Sequence, residues 1–296
     1  MDPGPLRDAL ALASGVATGA MSGLFGVGGA VISTPAIRAL GASAAVSVGT
    51  TLPAIIPGAA SGTVRYSRER LIDWRLVRLA GPSGALAAVA GSLLSPVVPG
   101  HGHVLMLLTA GLLGFSAVRL FRTAPSVRPD DLADRAETDL ELADQPAAPE
   151  RSGGPPDDGS GPAARPVGSA TGSSGTLVVL GVLAGLLSGL LGVGGGIILV
   201  PGFTQVIRLP LKPAIATSLA CVALFAVPGT VTHGLQHDID WRFALLLAVG
   251  VVPGARLGAA LTMRADDRRL RPLVAGFLAL TAVLYAAGEI HGLIGG

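Results

Sequence analysis

A single cysteine, Cys221, in 296 residues rules out an internal disulfide, and its apolar neighbours suit a small buried thiol better than a reactive one. Charge is scarce: Asp, Glu, Lys and Arg make up 14% of the chain, too little to clothe a soluble protein of this size. The net charge is only +2, and the arginines cluster between apolar runs without interleaved aromatics, which argues against a nucleic-acid partner. Acidic residues are missing from the interiors of the apolar runs, Glu289 coming nearest to one, so the buried carboxylate expected of a cation carrier or acid-relay proton pump is lacking. The histidines are equally unhelpful to a metal site or catalytic pair. His101, His103, His237 and His291 fall in connections or at the C-terminus, and His233 at a helix end. No enzyme chemistry, metal or cofactor is therefore expected.

What the chain has is apolar length and glycine. Half of its residues are hydrophobic and 43 are glycine. Apolar runs occupy residues 8–25, 29–40, 45–64, 76–98 and 103–121, then 176–191, 195–207, 213–232, 242–263 and 272–290. Lipid is the expected solvent for most of the chain, which reads as an all-α polytopic membrane protein. The N-terminus, with Arg7, Pro3 and Pro5 and no convincing cleavage site, is read as the start of the first span. Residues 123–174 are rich in Pro, Gly, Ser and Asp and cannot bury a core, so they are expected to form a disordered acidic linker between a first repeat (1–122) and a second (175–296).

The two repeats match in detail. Gly19 to Gly29 (GAMSGLFGVGG) returns 166 residues later as Gly185 to Gly195 (GLLSGLLGVGG). Thr50-Thr51-Leu52 faces Thr217-Ser218-Leu219, and Ile72-Asp73-Trp74-Arg75 faces Ile239-Asp240-Trp241-Arg242, at a constant offset of 167. Chance rarely keeps such a register in low-complexity apolar sequence, so the chain is an internal duplication. The Asp-Trp-Arg element predicts a helix cap, an interfacial ring and a headgroup contact, not a site.

Charge placement orients the repeats. Arg65, Arg68, Arg70, Arg75 and Arg78 surround one connection of the first repeat, whereas in the second repeat the following connection is the basic one, with Arg264, Arg268, Arg269 and Arg271. Under the positive-inside rule equivalent loops then lie on opposite faces, giving two inverted-topology repeats of about five segments, each with a glycine-broken helix. Runs 29–40 and 195–207 are too short to cross a bilayer unaided and are expected to be half-helices buried in protein. Four spans per half with a kinked first helix would instead make the repeats parallel.

A glycine-broken apolar segment at the same point of both halves is the strongest pointer to a transporter's binding site. Helices restarting after Gly28-Gly29 and after Gly194-Gly195-Gly196 would present unpaired N–H groups and positive dipole ends inside the membrane. Ser22, Ser188, Thr50, Thr51, Thr217 and Ser218 could add donors, so an anion is the expected ligand. The same glycines also suit close helix packing. Arg256 is the one charge well inside an apolar run; it could attract an anion or snorkel to the basic face. No Gly-Lys-Ser/Thr follows the glycines, which excludes a phosphate-binding nucleotide loop.

The doubled Ser-Gly-Leu-Leu/Phe-Gly-Val-Gly-Gly motif with its downstream Pro35 and Pro201, the Thr-Ser/Thr-Leu element and the Ile-Asp-Trp repeat resemble the TauE/SafE family of sulfite-exporter-like permeases. The resemblance covers nearly all of the chain outside the linker. It implies export of small sulfur-containing anions such as sulfite, sulfoacetate or related organosulfonates from a bacterial cytoplasm across the inner membrane. It points to Gly26, Gly28, Gly29, Gly192, Gly194 and Gly195, with Thr50, Thr51, Thr217 and Ser218 as polar liners. Ala30 against Gly196 breaks the symmetry. Alternative readings are a permease for a carboxylate or metal ion, or an assembly factor whose linker docks a soluble partner. Small-residue helix faces are compatible with a homodimer.

Overall fold

The computed structural model describes residues 4–95, 103–122, 173–192, 194–265 and 267–294. The expected linker lies outside these residues except for Ser173 and Ser174. All regular structure among the described residues is helical: α1 (Pro5–Phe25), α2 (Ala30–Ala39), α3 (Ala44–Arg68), α4 (Trp74–Leu94), α5 (His103–Arg122), α6 (Ser174–Leu191), α7 (Gly196–Gln205), α8 (Leu211–Leu235), α9 (Trp241–Arg264) and α10 (Asp267–Ile294). Five of them, α1, α4, α6, α8 and α9, are long and apolar enough to cross a membrane. The protein is thus a multi-pass membrane protein, and the ten helices follow the ten apolar runs.

Two interfaces dominate, and each joins the first helix of one half to the fourth of the other. On α1, Gly15, Gly19 and Gly23 abut the backbone of α9 at Leu247, Val251 and Ala255, while Gly250, Gly254 and Gly258 of α9 abut α1 in return. The contacts advance together along both helices, so α1 and α9 run parallel. On α6, Gly181, Gly185 and Gly189 meet Ala80, Gly84 and Ala88 of α4, again in parallel. Each interface is a row of small residues spaced four apart, which lets two backbones approach until carbonyls touch the neighbouring Cα atoms. The glycine faces that suggested self-association are thereby used within the chain.

The third helices of the two halves cross antiparallel. Gly62 of α3 meets Leu219 of α8, Gly229 of α8 meets Leu52, and the connection after α8 reaches back to Gly49 at Asp238. α3 also runs alongside α9, with the Ser61 hydroxyl donating to Val252 O. Arg65 and Arg68 therefore share one end of the bundle with Arg264, and Lys212 at the start of α8 joins them by donating to Met263 O. This is the arginine-rich end.

The 167-residue offset is visible in the backbone. Gly41 and Arg208 both have positive φ (101° and 60°), as do Arg70 and His237 (53° and 60°), so equivalent turns have kept their left-handed residue even where glycine was lost. The expected helix caps form: Asp73 Oδ1 accepts from the Arg75 and Leu76 N–H groups and Asp240 Oδ1 from Arg242 and Phe243; both tryptophans are exposed, and the Arg242 guanidinium pairs with Asp8.

A cross-repeat bond accompanies each cap. The Asp73 N–H donates to Thr217 Oγ1 and the Asp240 N–H to Thr50 Oγ1, both at 3.0 Å. Thr50→Val or Thr217→Val leaves that N–H unanswered and lowers unfolding free energy by about 1–2 kcal/mol. Thermal unfolding in detergent checks this, with Thr→Ser at either position expected to recover most of the loss.

Candidate functional site

The site is built from the two breaks. α1 ends in a left-handed cap at Gly26 (φ 67°) whose N–H donates to Ser22 O at 2.8 Å, and α6 ends identically at Gly192 (φ 65°) on Ser188 O at 2.8 Å. Gly28 and Gly29 (φ 90° and 74°) then reverse the chain, as do Gly194 and Gly195 (φ 85° and 70°). Residues with a β-carbon strain in this region, which is why glycine recurs at the same positions. Val193, between the second pair of turns, lies outside the described residues.

After each turn a ten-residue helix sets off. At about 1.5 Å per residue, α2 and α7 are each about 15 Å long, half of a bilayer core. α2 returns along α1, since a β-carbon on Gly29 would lie 2.7 Å from the Thr18 methyl and 3.1 Å from Ser22 Cβ. Its far end reaches Ile37, which packs with Ala11, Ala54, Phe243 and Leu247. The N-caps Gly29 and Gly195 offer no side chain to the first turns of these helices; part of each first turn bonds locally, Ala30 N–H to Gly28 O and Ile32 N–H to Gly29 O at 3.0 Å and Ile198 N–H to Gly195 O at 3.1 Å, and the positive dipole ends face the turns.

The two breaks meet. A β-carbon on Gly194 would stand 3.4 Å from Gly28 Cα and 3.6 Å from Val27 O, and one on Gly196 would stand 2.7 Å from Val27 Cα. Gly26, Gly28, Gly29, Gly192, Gly194 and Gly195 are all buried. Around them sit buried hydroxyls with different duties. Ser218 Oγ donates to Gly26 O at 2.6 Å, tying α8 to the first turn. Thr51 Oγ1 donates to Val48 O at 2.9 Å and lies 3.4 Å from Thr34 Oγ1. Ser22 is buried beside Gly29. The hydroxyls of Ser188, Thr18 and Ser33 are buried without a hydrogen-bond partner.

Thus the structure brings Thr51 to Thr34 of α2, and the six glycines, Ser22, Ser188 and Ser218 to the paired turns. It does not bring Arg256 there: that side chain stands on the exposed side of α9, because Gly254 and Gly258 turn the opposite side toward α1. Thr50 and Thr217 each accept one bond, from the Asp240 and Asp73 N–H groups respectively. Sequence reading missed Thr18 and Ser33. Thr18 lies one turn before Ser22 and Ser33 one turn after Gly29, and that helical spacing from the motif was the available signal.

Among the described residues no group of three or more His, Cys, Asp or Glu side chains could hold a metal ion. A buried, glycine-lined meeting point of two uncapped short helices, inside a bundle of apolar spans, is the architecture of a membrane transport protein. The chain belongs to the sulfite exporter TauE/SafE family, whose profile matches residues 11–285. It is 24% identical to a probable membrane transporter protein of Xylella fastidiosa (strain 9a5c), over 93% of this chain and 92% of that one. It is 23% identical to the probable membrane transporter protein YunE of Bacillus subtilis (strain 168), over 86% and 89% respectively. It is also 29% identical to the probable membrane transporter protein MamO of Paramagnetospirillum magneticum, over 71% of this chain but 32% of that longer protein. No solved structure matches the chain.

Proposed function

We propose that the protein exports a small sulfur-containing anion, such as sulfite, sulfoacetate or a related organosulfonate, across the bacterial inner membrane by alternating access. The observation that carries this reading is the pair of uncapped helix starts at Gly29 and Gly195, set against each other with unpartnered Ser188, Thr18 and Ser33 hydroxyls nearby. Donors converge there and carboxylates do not, which favours a negative ligand. The family's description as sulfite exporters supports the substrate class.

Inverted repeats fit the same picture. α3 and α8 hold equivalent places in the two halves and run antiparallel, and Arg65 and Arg68 of one half share an end with Arg264 of the other, which the positive-inside rule makes cytoplasmic. The turns touch, so solute entry requires them to part; because α1 is packed on α9 and α4 on α6 across the halves, rocking of the α1–α9 group against the α4–α6 group would open the meeting point to each side in turn. An inside-negative potential drives an anion outward by about 2.3 kcal/mol per charge per 100 mV, so export needs no dedicated coupling ion.

Sulfite uptake into inside-out vesicles containing the purified protein tests the reading. Saturable uptake that grows with an inside-positive vesicle potential and is blocked by sulfoacetate but not acetate is the expected result. Uptake equal to empty vesicles would remove sulfur anions as the substrate, and competition by acetate would move the assignment to carboxylates.

A further inference from the structure

Tyr66 near the end of α3 and His233 near the end of α8 occupy equivalent places 167 residues apart, at opposite ends of the bundle. Both are buried. The Tyr66 hydroxyl donates to Gly23 O at 2.6 Å and so fastens α3 to α1 at the arginine-rich end. His233, only 1% exposed, has no hydrogen-bond partner at either ring nitrogen. Its Nδ1 stands 3.6 Å from Asp238 Oδ2, just beyond hydrogen-bond reach, and the Asp238 carboxylate is 24% exposed to the surroundings. A buried imidazole without partners is costly, and a proton on it would convert the near contact into a charge-assisted pair.

The surroundings isolate this pair. Among the described residues, the charges of α3 and α4 nearest α8 (Arg65, Arg68, Arg75 and Arg78) lie toward the arginine-rich end, and α6 and α7 carry none. Gln236 donates to Ser92 O on α4, and its Oε1 is unpartnered. Asp240 is engaged in capping α9, His237 is exposed, and Asp8 pairs with Arg242. Among the described residues Asp238 is therefore the one carboxylate placed to answer His233.

The connection holding Asp238 is also a joint between the halves. Asp238 rests on Gly49 of α3, and the next residues, with His237, Asp240 and Trp241, wall one side of a cavity of about 500 Å³ whose other side is Gly41, Ser43 and Val46. We propose that His233 and Asp238 form a proton-binding site at the arginine-poor end, and that the bound proton holds this connection against α3 and keeps that end of the transporter closed. The proton enters from water through the Asp238 carboxylate. Its loss frees the connection and opens the cavity toward the glycine turns. The proton site stands on its own geometry; its effect on solute flux rests on the transport reading above.

Trp241 lines the cavity and reports on the joint. In nanodiscs, protein carrying Trp74→Phe and His237→Gln should show a pH-dependent change in Trp241 fluorescence, followed as a titration. His233→Gln should abolish it, as should Asp238→Asn and His233→Tyr, the last placing at this end the residue that already folds at the equivalent position. Sulfite efflux should rise about fivefold as pH at the arginine-poor face goes from 5 to 8, and less than about twofold in His233→Gln. A titration that survives in both His233 variants overturns the site. A lost titration with an unchanged efflux profile overturns its role in gating. A lost titration with no sulfite movement at any pH leaves the proton site standing and sinks the anion reading instead.

Discussion

Gly28→Leu combined with Gly194→Leu should cut solute transport at least about a hundredfold, a loss of some 2.7 kcal/mol or more in the transport step. Two effects add. Both residues hold positive φ, 90° and 85°, where a β-carbon strains the turn by roughly 1–2 kcal/mol each. The side chain at 194 must also occupy the contact between the turns, where Gly194 faces Gly28 Cα and Val27 O. The paired N–H groups of α2 and α7 would then be pushed apart or covered. The check is vesicle flux normalised to folded protein by size-exclusion chromatography. A well-folded double variant with unchanged flux would place the solute path elsewhere, whereas Ala at the same positions should retain part of the activity.

The second large effect falls on stability. Gly185→Leu should prevent the bundle from assembling, because even a β-carbon at that position runs into Gly84 O, with no side chain available to move aside. Gly19→Leu should act likewise at Val251 O and Ala255 N. Overpacking of this kind costs about 3 kcal/mol or more when backbone faces backbone, enough to remove most of a protein's marginal stability. Gly276→Leu is the matched control: nothing stands within 4 Å of its β-carbon, and the change should be nearly silent. Loss of the monodisperse peak for Gly185→Leu, with Gly276→Leu unaffected, is the expected pattern. Equal melting temperatures for the two would mean that the α4 and α6 interface is not tight.

Much of this arrangement is legible in sequence because glycine and proline act locally. The breaks at Gly26 to Gly29 and Gly192 to Gly195, the shortness of α2 and α7, and the Asp73 and Asp240 caps all follow from residue type and spacing. What stayed hidden was rotation about helix axes. In a water-soluble helix a polar face marks the outside, but α8 is apolar almost all round, and nothing in its pattern says that Thr217 turns to Asp73 while Ser218 turns to Gly26. Arg256 illustrates the same gap. Its charge drew attention to a run whose inward side was in fact marked by Gly250, Gly254 and Gly258. The small-residue rows were visible too, but sequence alone did not tell whether their partner was another copy or the other half of the same chain.

The pairing of α1 with α9 sets a schedule for biosynthesis. About 216 residues separate the end of α1 from the start of α9, so at roughly 5–20 residues per second the glycine face of α1 waits on the order of 10 to 40 s for its partner to leave the ribosome. α4 waits for α6 across the stretch between the repeats in the same way. Neither half is a domain that matures alone. The first half must be held in the bilayer with its close-packing surface uncovered until the second arrives, which makes the insertion machinery or lipid its temporary neighbour until α9 closes over α1.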